Sequence, residues 1–199
     1  VGVALVTSGP GVTNAVTGVA NAYMDAIPLI CIAGRSPIRD DDHLPLQGMD
    51  QVALMAPITK FARTVLQPER IAEYLVMAWR QATSGRPGPV FLDIPIDVLF
   101  TPTSEAAVPK LSRHEPDRRS VPPAEAIDSA LDLLERAERP AIFAGGGAFF
   151  SGAQEELRQF AAMTSVPVFA NAKARGIVPE WSRLGYGNFA LASSPLATQ

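Results

Sequence analysis

The chain has 199 residues, of which 47% are apolar and 19% charged. This composition excludes a disordered protein and allows one large or two small folded domains. The 17 basic and 20 acidic residues leave a formal net charge of −3. Neither half of the chain carries a basic block, which argues against nucleic acid or a membrane surface as a partner. Cys31, the single cysteine, is predicted to be a small buried residue in a protein of the reducing cytoplasm.

The first thirty residues predict a strand, a helix and a second strand. Residues 1–7 have the pattern of a buried strand, residues 12–24 that of a helix, and residues 28–33 that of another strand. This order predicts a βαβ unit and therefore a parallel sheet with helices on its faces. The helical positions expected to face the sheet are Val12, Ala15, Val16, Val19, Ala20 and Tyr23.

A polar loop over residues 35–50 precedes the next elements. The loop contains the run Asp40-Asp-Asp-His43, but adjacent side chains on an extended segment point to opposite sides, so we assign no metal ligand there. A short strand is predicted over residues 61–65, a helix over residues 69–83 and a buried strand over residues 90–94. The positions of this helix that we expect to be buried are Ile71, Leu75, Ala78 and Ala82.

Residues 101–123 differ in composition from the rest of the chain. Five prolines and several basic residues lie in this stretch, which predicts an extended linker between two domains. The predicted domains are therefore residues 1–100 and 124–199. The sequence opens directly in a strand pattern and stops soon after another strand pattern. We therefore expect both ends to lie inside larger domains.

A second α/β pattern follows the linker. The periodicity predicts a helix over residues 124–138, a strand over 141–144, a helix over 152–163 and a strand over 166–170. The first of these helices is expected to turn Ile127, Leu131 and Leu134 inward.

Two glycine-bearing segments follow predicted strands and are candidate ligand sites. Ser8-Gly-Pro-Gly11 stands between a strand and a helix, where backbone amides and a helix N-terminus can approach a polar ligand. Gly145-Gly-Gly147 has the position of a nucleotide-binding turn but lacks the spacing of the dinucleotide fingerprint. Each segment also has a purely structural reading, because a tight strand-to-helix turn favours glycine.

The ordered combination of motifs is more specific than any one of them. Thr7-Ser-Gly-Pro-Gly-Val-Thr-Asn14 resembles the T-S-G-P-G-x-T-N loop in the pyrimidine-binding domain of thiamine-diphosphate-dependent enzymes of the acetolactate synthase, benzaldehyde lyase and oxalyl-CoA decarboxylase group. Further segments resemble the same enzymes in the same order: Leu46-Gln-Gly-Met-Asp-Gln-Val-Ala53, Pro57-Ile-Thr-Lys60, Ala82-Thr-Ser-Gly-Arg-Pro-Gly-Pro-Val90, Asp93-Ile-Pro-Ile-Asp97, Arg139-Pro140, Gly145-Gly-Gly147 and Val166-Pro-Val-Phe169.

The resemblance implies an α/β fold in two parts. The first part would be the C-terminal portion of a parallel-sheet pyrimidine-binding domain, and the second the N-terminal portion of a Rossmann-like middle domain. The family's activating glutamate lies upstream of a strand like residues 1–7, and its metal motif belongs to a third domain. The Mg²⁺ site is therefore expected outside this chain, and the chain alone is expected to be inactive.

The resemblance also implies roles for individual residues. Thr7, Pro10 and Asn14 would shape the thiamine diphosphate pocket, and Gln47 would donate a hydrogen bond to the reacting carbonyl or its alkoxide. In flavin-containing relatives, the arginine of S-G-R-P-G and the glycine turn of the middle domain meet an adenine dinucleotide. Here FAD or ADP would lie against Arg86 and the three glycines Gly145, Gly146 and Gly147. The family's sites lie between subunits, which implies a homodimer or homotetramer.

Several positions depart from the acetolactate synthase pattern and leave the substrate open. Leu46 and Gly48 replace the phenylalanine and glutamate of F-Q-E, and Ile96 stands where plant and yeast acetolactate synthases have lysine. The loop from Arg35 to Gln47 is more similar to that of benzaldehyde lyase. The alternatives are a 2-oxo acid or 2-hydroxy ketone carboligase, a benzaldehyde-lyase or 2-hydroxyacyl-CoA-lyase type activity, and a non-catalytic nucleotide-binding paralogue.

Overall fold

A computed structural model describes residues 1–109 and 121–188 of the chain. The chain divides into two compact units, Val1–Arg118 and Arg119–Gln199, within the segment that the sequence predicts to be a linker. Residues 110–120 of that linker lie outside the described residues. Among the described helices, none combines the length and the apolar character needed to cross a membrane.

The first unit is a parallel sheet with helices between its strands. Its strands run in the order β1-β2-β4-β3, and every neighbouring pair is parallel. The elements in chain order are β1 (Gly2–Val6), α1 (Pro10–Met24), β2 (Leu29–Arg35), α2 (Gln51–Met55), β3 (Ala62–Thr64), α3 (Ile71–Thr83), β4 (Pro89–Pro95) and α4 (Ile96–Phe100). The predicted α/β class with a parallel sheet is confirmed.

Two apolar clusters fill the two faces of this sheet. On one face, Cys31 and Phe91 pack with Val12 and Val19 of α1, so the prediction of a buried thiol is confirmed. On the other face, strand residues that alternate with these pack against Ala78 and Ala82 of α3. The alternation follows from the two-residue period of a strand, which sends successive side chains to opposite faces.

The expectation that residues 1–7 form a buried strand is wrong in one respect. The strand β1 forms, but it is the terminal strand of the described sheet and pairs only with β2. Val3 and Leu5 are 66% and 79% exposed, because α3 packs over β2 and β4 on that face and leaves β1 uncovered. An apolar strand pattern therefore indicates that the strand tolerates burial. The position of the strand in the sheet determines how much of its surface is buried.

Helix α3 also differs in one predicted position. Leu75 is 36% exposed, whereas Ala78 and Ala82 are fully buried. Ile71 packs against the cluster as predicted, and Tyr74 does so in place of Leu75. The predicted stripe therefore differs at one position, where tyrosine rather than leucine covers the sheet.

The second unit is also built on parallel strands. Its strands run in the order β5-β6-β7, and its core cluster lies between this sheet and the segments that follow β5 and β6. The elements are α5 (Ala124–Arg136), β5 (Ile142–Ala144), α6 (Gly146–Phe150), α7 (Gln154–Thr164), β6 (Val168–Ala170) and β7 (Gly185–Asn188).

One expectation for this unit is corrected. Ile127 and Leu131 of α5 are exposed, because α5 contributes no residue to a core cluster of the described part of the chain. The structure also adds a short helix that the sequence analysis did not predict, α6, for which Gly145 is the N-cap.

Candidate functional site

The turn that joins β1 to α1 is held in a conformation that favours glycine. Gly9 has φ +58° and ψ −105° and is the N-cap of α1, whose first residue is Pro10. A Cβ atom added to Gly9 would lie 2.6 Å from the backbone oxygen of Gln47. The loop that carries Gln47 therefore lies directly against this turn, and a side chain on Gly9 would have to displace backbone.

Gln47 contacts the same turn through its side chain. Ser8 Oγ donates a hydrogen bond to Gln47 Oε1 over 3.1 Å, and Gln47 itself has φ +60°. The contact uses the acceptor end of the amide. The donor end, Nε2, has no hydrogen-bond partner among the described residues and lies on an exposed side chain.

The three residues predicted to contact thiamine diphosphate surround this turn. Thr7 follows β1, and Pro10 and Asn14 are one helical turn apart on α1, so they share one side of the helix. All three side chains are exposed. The structure thus brings Thr7, Pro10, Asn14 and Gln47 to one carboxyl edge of a parallel sheet, the edge where ligands of such sheets bind. Their individual roles stay predictions.

A second glutamine, Gln51, lies behind the turn and was given no role by the sequence analysis. Its Oε1 accepts a hydrogen bond from Gly9 N at 2.7 Å, and its Nε2 donates to Gly34 O at 3.0 Å and to Asp93 Oδ2 at 3.4 Å. Gln51 is only 2% exposed. One buried amide therefore joins the carboxyl ends of three neighbouring strands, β1, β2 and β4.

Asp93 is a buried carboxylate in the middle of this arrangement. It is 1% exposed and reaches a cleft of about 440 Å³ that Arg35, Asp41 and Gln51 also line. Among the described residues, its Oδ1 atom has no hydrogen-bond partner. Burial raises the pKa of Asp93, although the nearby Thr64 hydroxyl, the charge of Arg35 and the Gln51 amide oppose the shift.

This raised pKa predicts a pH-dependent loss of stability. The folded state holds the Asp93 proton more tightly than the unfolded state does, so stability falls as pH rises above about 4 and through the folded pKa. The Asp93→Asn variant cannot ionise at this position, so we expect it to lack this loss. Its free energy of unfolding should therefore increase relative to that of the wild type as the pH rises from 4 to 7.

Denaturant unfolding across that pH range measures the difference, and Asp128→Asn on the exposed face of α5 is the control. Parallel pH dependences for wild type and Asp93→Asn would show that the buried carboxyl does not titrate differently in the folded state.

The sequence contained a signal for both buried polar residues. Gln51 is one helical turn from the buried Met55, so it occupies the apolar side of α2. Asp93 stands between Leu92 and Ile94 in a strand that is buried throughout. A polar residue on an apolar face is expected to have a hydrogen-bond partner, and that expectation would have identified both.

Arg86 caps the C-terminus of a helix that is far from it in the sequence. Its two terminal nitrogens donate to Tyr23 O at 2.9 Å and Met24 O at 2.8 Å, which are carbonyls at the end of α1. The helix that precedes Arg86, α3, is capped instead by Lys60, whose Nζ donates to the carbonyls of Gln81 and Ser84. Burial and the nearby charge of Arg86 lower the pKa of Lys60.

The capping contact predicts that Arg86→Ala destabilises the first unit. Loss of two hydrogen bonds and of a positive charge at the C-terminus of α1 should lower the free energy of unfolding by about 1 kcal/mol at this exposed position. Thermal or denaturant unfolding measures the change, with Arg39→Ala, at an arginine side chain that is 83% exposed, as the control. Equal stability of the two variants would contradict a capping role.

The glycines Gly145 and Gly146 lie close to the segment that follows β6. A Cβ atom on Gly145 would lie 3.4 Å from Asn171 Nδ2, and one on Gly146 would lie 3.3 Å from the side chain of Lys173. Asn171 Oδ1 in turn accepts hydrogen bonds from the backbone N–H groups of Lys173 and Ala174. The start of α6 therefore packs against the segment that follows β6.

Comparison with protein families identifies both parts of the chain. The N-terminal thiamine pyrophosphate binding domain of thiamine pyrophosphate enzymes matches residues 1–54, and the central domain of the same enzymes matches residues 127–199. The two matches together cover more than half of the chain. The chain therefore belongs to the thiamine pyrophosphate enzyme family, and the resemblance inferred from the motifs is confirmed.

Curated proteins similar to this chain include acetolactate synthase large subunits. A probable acetolactate synthase large subunit of Methanocaldococcus jannaschii is 38% identical over 94% of this chain and 32% of its own length. The isozyme 3 large subunit of Escherichia coli is 36% identical over 94% of the chain and 33% of its own. The subunit of Corynebacterium glutamicum is 38% identical over 94% and 30%. The chain thus spans about a third of the length of these relatives.

Proposed function

We propose that the chain is part of a thiamine-diphosphate-dependent lyase or carboligase that makes or breaks C–C bonds next to a carbonyl group. The observation that carries the proposal is the Gln47 side chain, which lies against the Ser8–Gly9 turn and presents an amide N–H. The names of the relatives favour an acetolactate-synthase-like reaction on 2-oxo acids or 2-hydroxy ketones.

The chemistry of the side chains around the turn fits part of this cofactor. Thr7, Ser8, Asn14 and Gln47 are neutral hydrogen-bonding groups at one sheet edge. Neutral groups suit the uncharged aminopyrimidine ring, whereas a diphosphate needs cations or a metal ion. Among the described residues, no group of three or more His, Cys, Asp or Glu side chains could hold a metal ion. We therefore propose that the diphosphate and its Mg²⁺ are held by residues outside this chain.

Gln47 would act on the carbonyl that reacts. When bound, thiamine diphosphate supplies a nucleophilic carbon and an electron sink for a carbanion next to the carbonyl. Negative charge develops on the carbonyl oxygen during addition, and a neutral amide donor placed beside it stabilises that charge. Ser8 would keep the Gln47 amide in the required orientation, because its hydroxyl donates to Oε1 and so directs Nε2 away from the turn.

The complete enzyme is proposed to be a cytoplasmic homodimer or homotetramer. Thr7, Pro10 and Asn14 would contribute one wall of its cofactor site. The small-molecule substrate would meet the cofactor at the exposed edge that these residues share with Gln47.

The test is an assay of the complete protein with thiamine diphosphate and Mg²⁺. Three substrates separate the alternatives: pyruvate for an acetolactate-synthase-like enzyme, an aromatic 2-hydroxy ketone for a benzaldehyde-lyase type, and a 2-hydroxyacyl-CoA for the corresponding lyase. Cofactor-dependent turnover of one of them supports the proposal. Saturable thiamine diphosphate binding without turnover of any 2-oxo acid, 2-hydroxy ketone or 2-hydroxyacyl-CoA would contradict it.

FAD or ADP binding at Arg86 and the glycines Gly145, Gly146 and Gly147 stays an untested hypothesis. The visible spectrum of the complete protein, purified without added cofactor, tests for flavin, and thermal shifts with FAD and ADP test for affinity. A titration of the cofactor-free protein with thiamine diphosphate, FAD and ADP separates the proposed enzyme from a non-catalytic nucleotide-binding paralogue. A colourless protein that neither nucleotide stabilises would contradict nucleotide binding at Arg86 and these glycines.

A further inference from the structure

Both polar atoms of the buried Gln51 amide have hydrogen-bond partners around the candidate site. Gly9 N can only donate and Gly34 O can only accept, so these two groups determine which end of the amide faces each of them. Asp93 accepts the second N–H of Nε2. An amide that is bonded in this way at a site with 2% exposure has one low-energy orientation, because any rotation would leave buried polar groups without partners.

Gln51 is itself held in place by the start of α2. Asp50 is the N-cap of this helix, and its Oδ1 accepts a hydrogen bond from Ala53 N at 2.8 Å. Gln51 is therefore the first residue of a capped helix and lies four residues after Gln47. The segment 47–51 contacts the Gly9 turn from two sides, with Gln47 on the exposed side and Gln51 on the buried side.

We propose that Gln51 is a positioning residue that sets the conformation of the Gly9 turn and, through it, the placement of Gln47 beside the reacting carbonyl. Gly9 has no side chain and an unusual φ, so its own conformational preference does not hold the turn in this geometry. The hydrogen bond from Gly9 N to Gln51 Oε1 supplies that restraint. Because Gly9 packs on the backbone of Gln47, a shift of the turn displaces Gln47 as well.

The inference rests on the proposed function, and the test uses the complete enzyme with Gln51→Met. Methionine has nearly the same volume but cannot accept from Gly9 N or donate to Gly34 O. We expect kcat to fall by roughly 10²-fold, the scale of an ångström-sized misplacement of a catalytic group, while the substrate KM changes little. Gln67→Met, at an exposed glutamine of the same unit, should keep wild-type kcat and KM.

A measurement without turnover distinguishes positioning from general stability. Hydrogen exchange in the cofactor-free enzyme should accelerate roughly tenfold at the Gly9 amide in Gln51→Met, the equivalent of one lost hydrogen bond. Amides in the centre of β4 should keep their protection. Equal acceleration throughout the unit would show that Gln51 only stabilises the fold, and it would overturn the proposal.

A reciprocal pair of substitutions keeps the inference testable if Gln51→Met does not fold. Gln51→Glu retains an acceptor for Gly9 N but places a carboxylate beside Asp93, and we expect it to lose activity. Adding Asp93→Asn removes the like charge and supplies a donor, so the double variant should recover at least tenfold in kcat over Gln51→Glu.

The outcomes separate this inference from the proposed function. An inactive wild type would contradict the proposed function before any variant is made. An active wild type together with a fully active Gln51→Met, or with a double variant no better than Gln51→Glu, would overturn the positioning role alone.

Discussion

Gln47→Ala in the complete enzyme should lower kcat/KM by roughly 10²-fold or more, the scale of losing an oxyanion-type hydrogen-bond donor. The side chain is exposed and, within residues 1–109 and 121–188, accepts a single hydrogen bond, from Ser8, so its removal should cost little stability. Thiamine diphosphate affinity should change little, because Thr7, Pro10 and Asn14 are proposed to form the cofactor wall. Steady-state kinetics with the substrate identified for the wild type, together with a cofactor titration, measures both effects.

Gln67→Ala is the matched control, since Gln67 is an exposed glutamine of the same unit that lies after β3. It should retain wild-type kinetics. Normal turnover by Gln47→Ala with a collapse of cofactor binding would assign Gln47 to the cofactor rather than to the substrate. Normal turnover and normal binding would make it an ordinary solvent-facing loop residue.

Gly9→Ala should have the largest effect on the structure of the site. The new Cβ would lie 2.6 Å from Gln47 O, and the φ of +58° with a ψ of −105° is unfavourable for alanine. Strain of this kind costs about 1–3 kcal/mol, and the displaced loop adds to it. We expect a free energy of unfolding lowered by about 3 kcal/mol and weaker thiamine diphosphate binding.

Gly18→Ala provides a control within the same helix. Gly18 is exposed in the interior of α1, and a Cβ atom there would meet nothing within 4 Å. Alanine should therefore stabilise the helix by about 0.5–1 kcal/mol. Denaturant unfolding of both variants tests the contrast. A Gly9→Ala protein with wild-type stability and cofactor affinity would mean that the turn and the Gln47 loop can separate without loss.

Local sequence patterns predicted most of the helices and strands, but they predicted the burial of those elements less well. The run from Val90 to Ile94 has no polar face except at Asp93, and β4 is buried along its whole length. Helix α5 has an equally clear pattern, yet Ile127 and Leu131 are exposed. Periodicity predicts which face of an element is apolar, and it carries no information on whether another element covers that face.

In the candidate site, too, the sequence predicted the segments involved, and the structure showed which residues are in contact. The motif Thr7 to Asn14 and the loop around Gln47 were recognised from residue order, and the structure places them against each other. The apolar neighbours of Gln51 and Asp93 indicated that each side chain needs a hydrogen-bond partner, but no local pattern states that residues 42 positions apart will share a hydrogen bond. No local pattern relates Arg86 to α1, and only the fold shows that its side chain reaches the last carbonyls of that helix.

The sequence by itself determined the α/β class, the family and the segments that form the candidate site, since these depend on short-range periodicity and on the order of motifs along the chain. The tertiary structure alone decided which residues meet. The strand order β1-β2-β4-β3 places the ends of β1, β2 and β4 side by side, and a single buried side chain, Gln51, can then join Gly9, Gly34 and Asp93. Such long-range hydrogen bonds form because a buried polar group needs a partner, and the fold determines which partner is within reach.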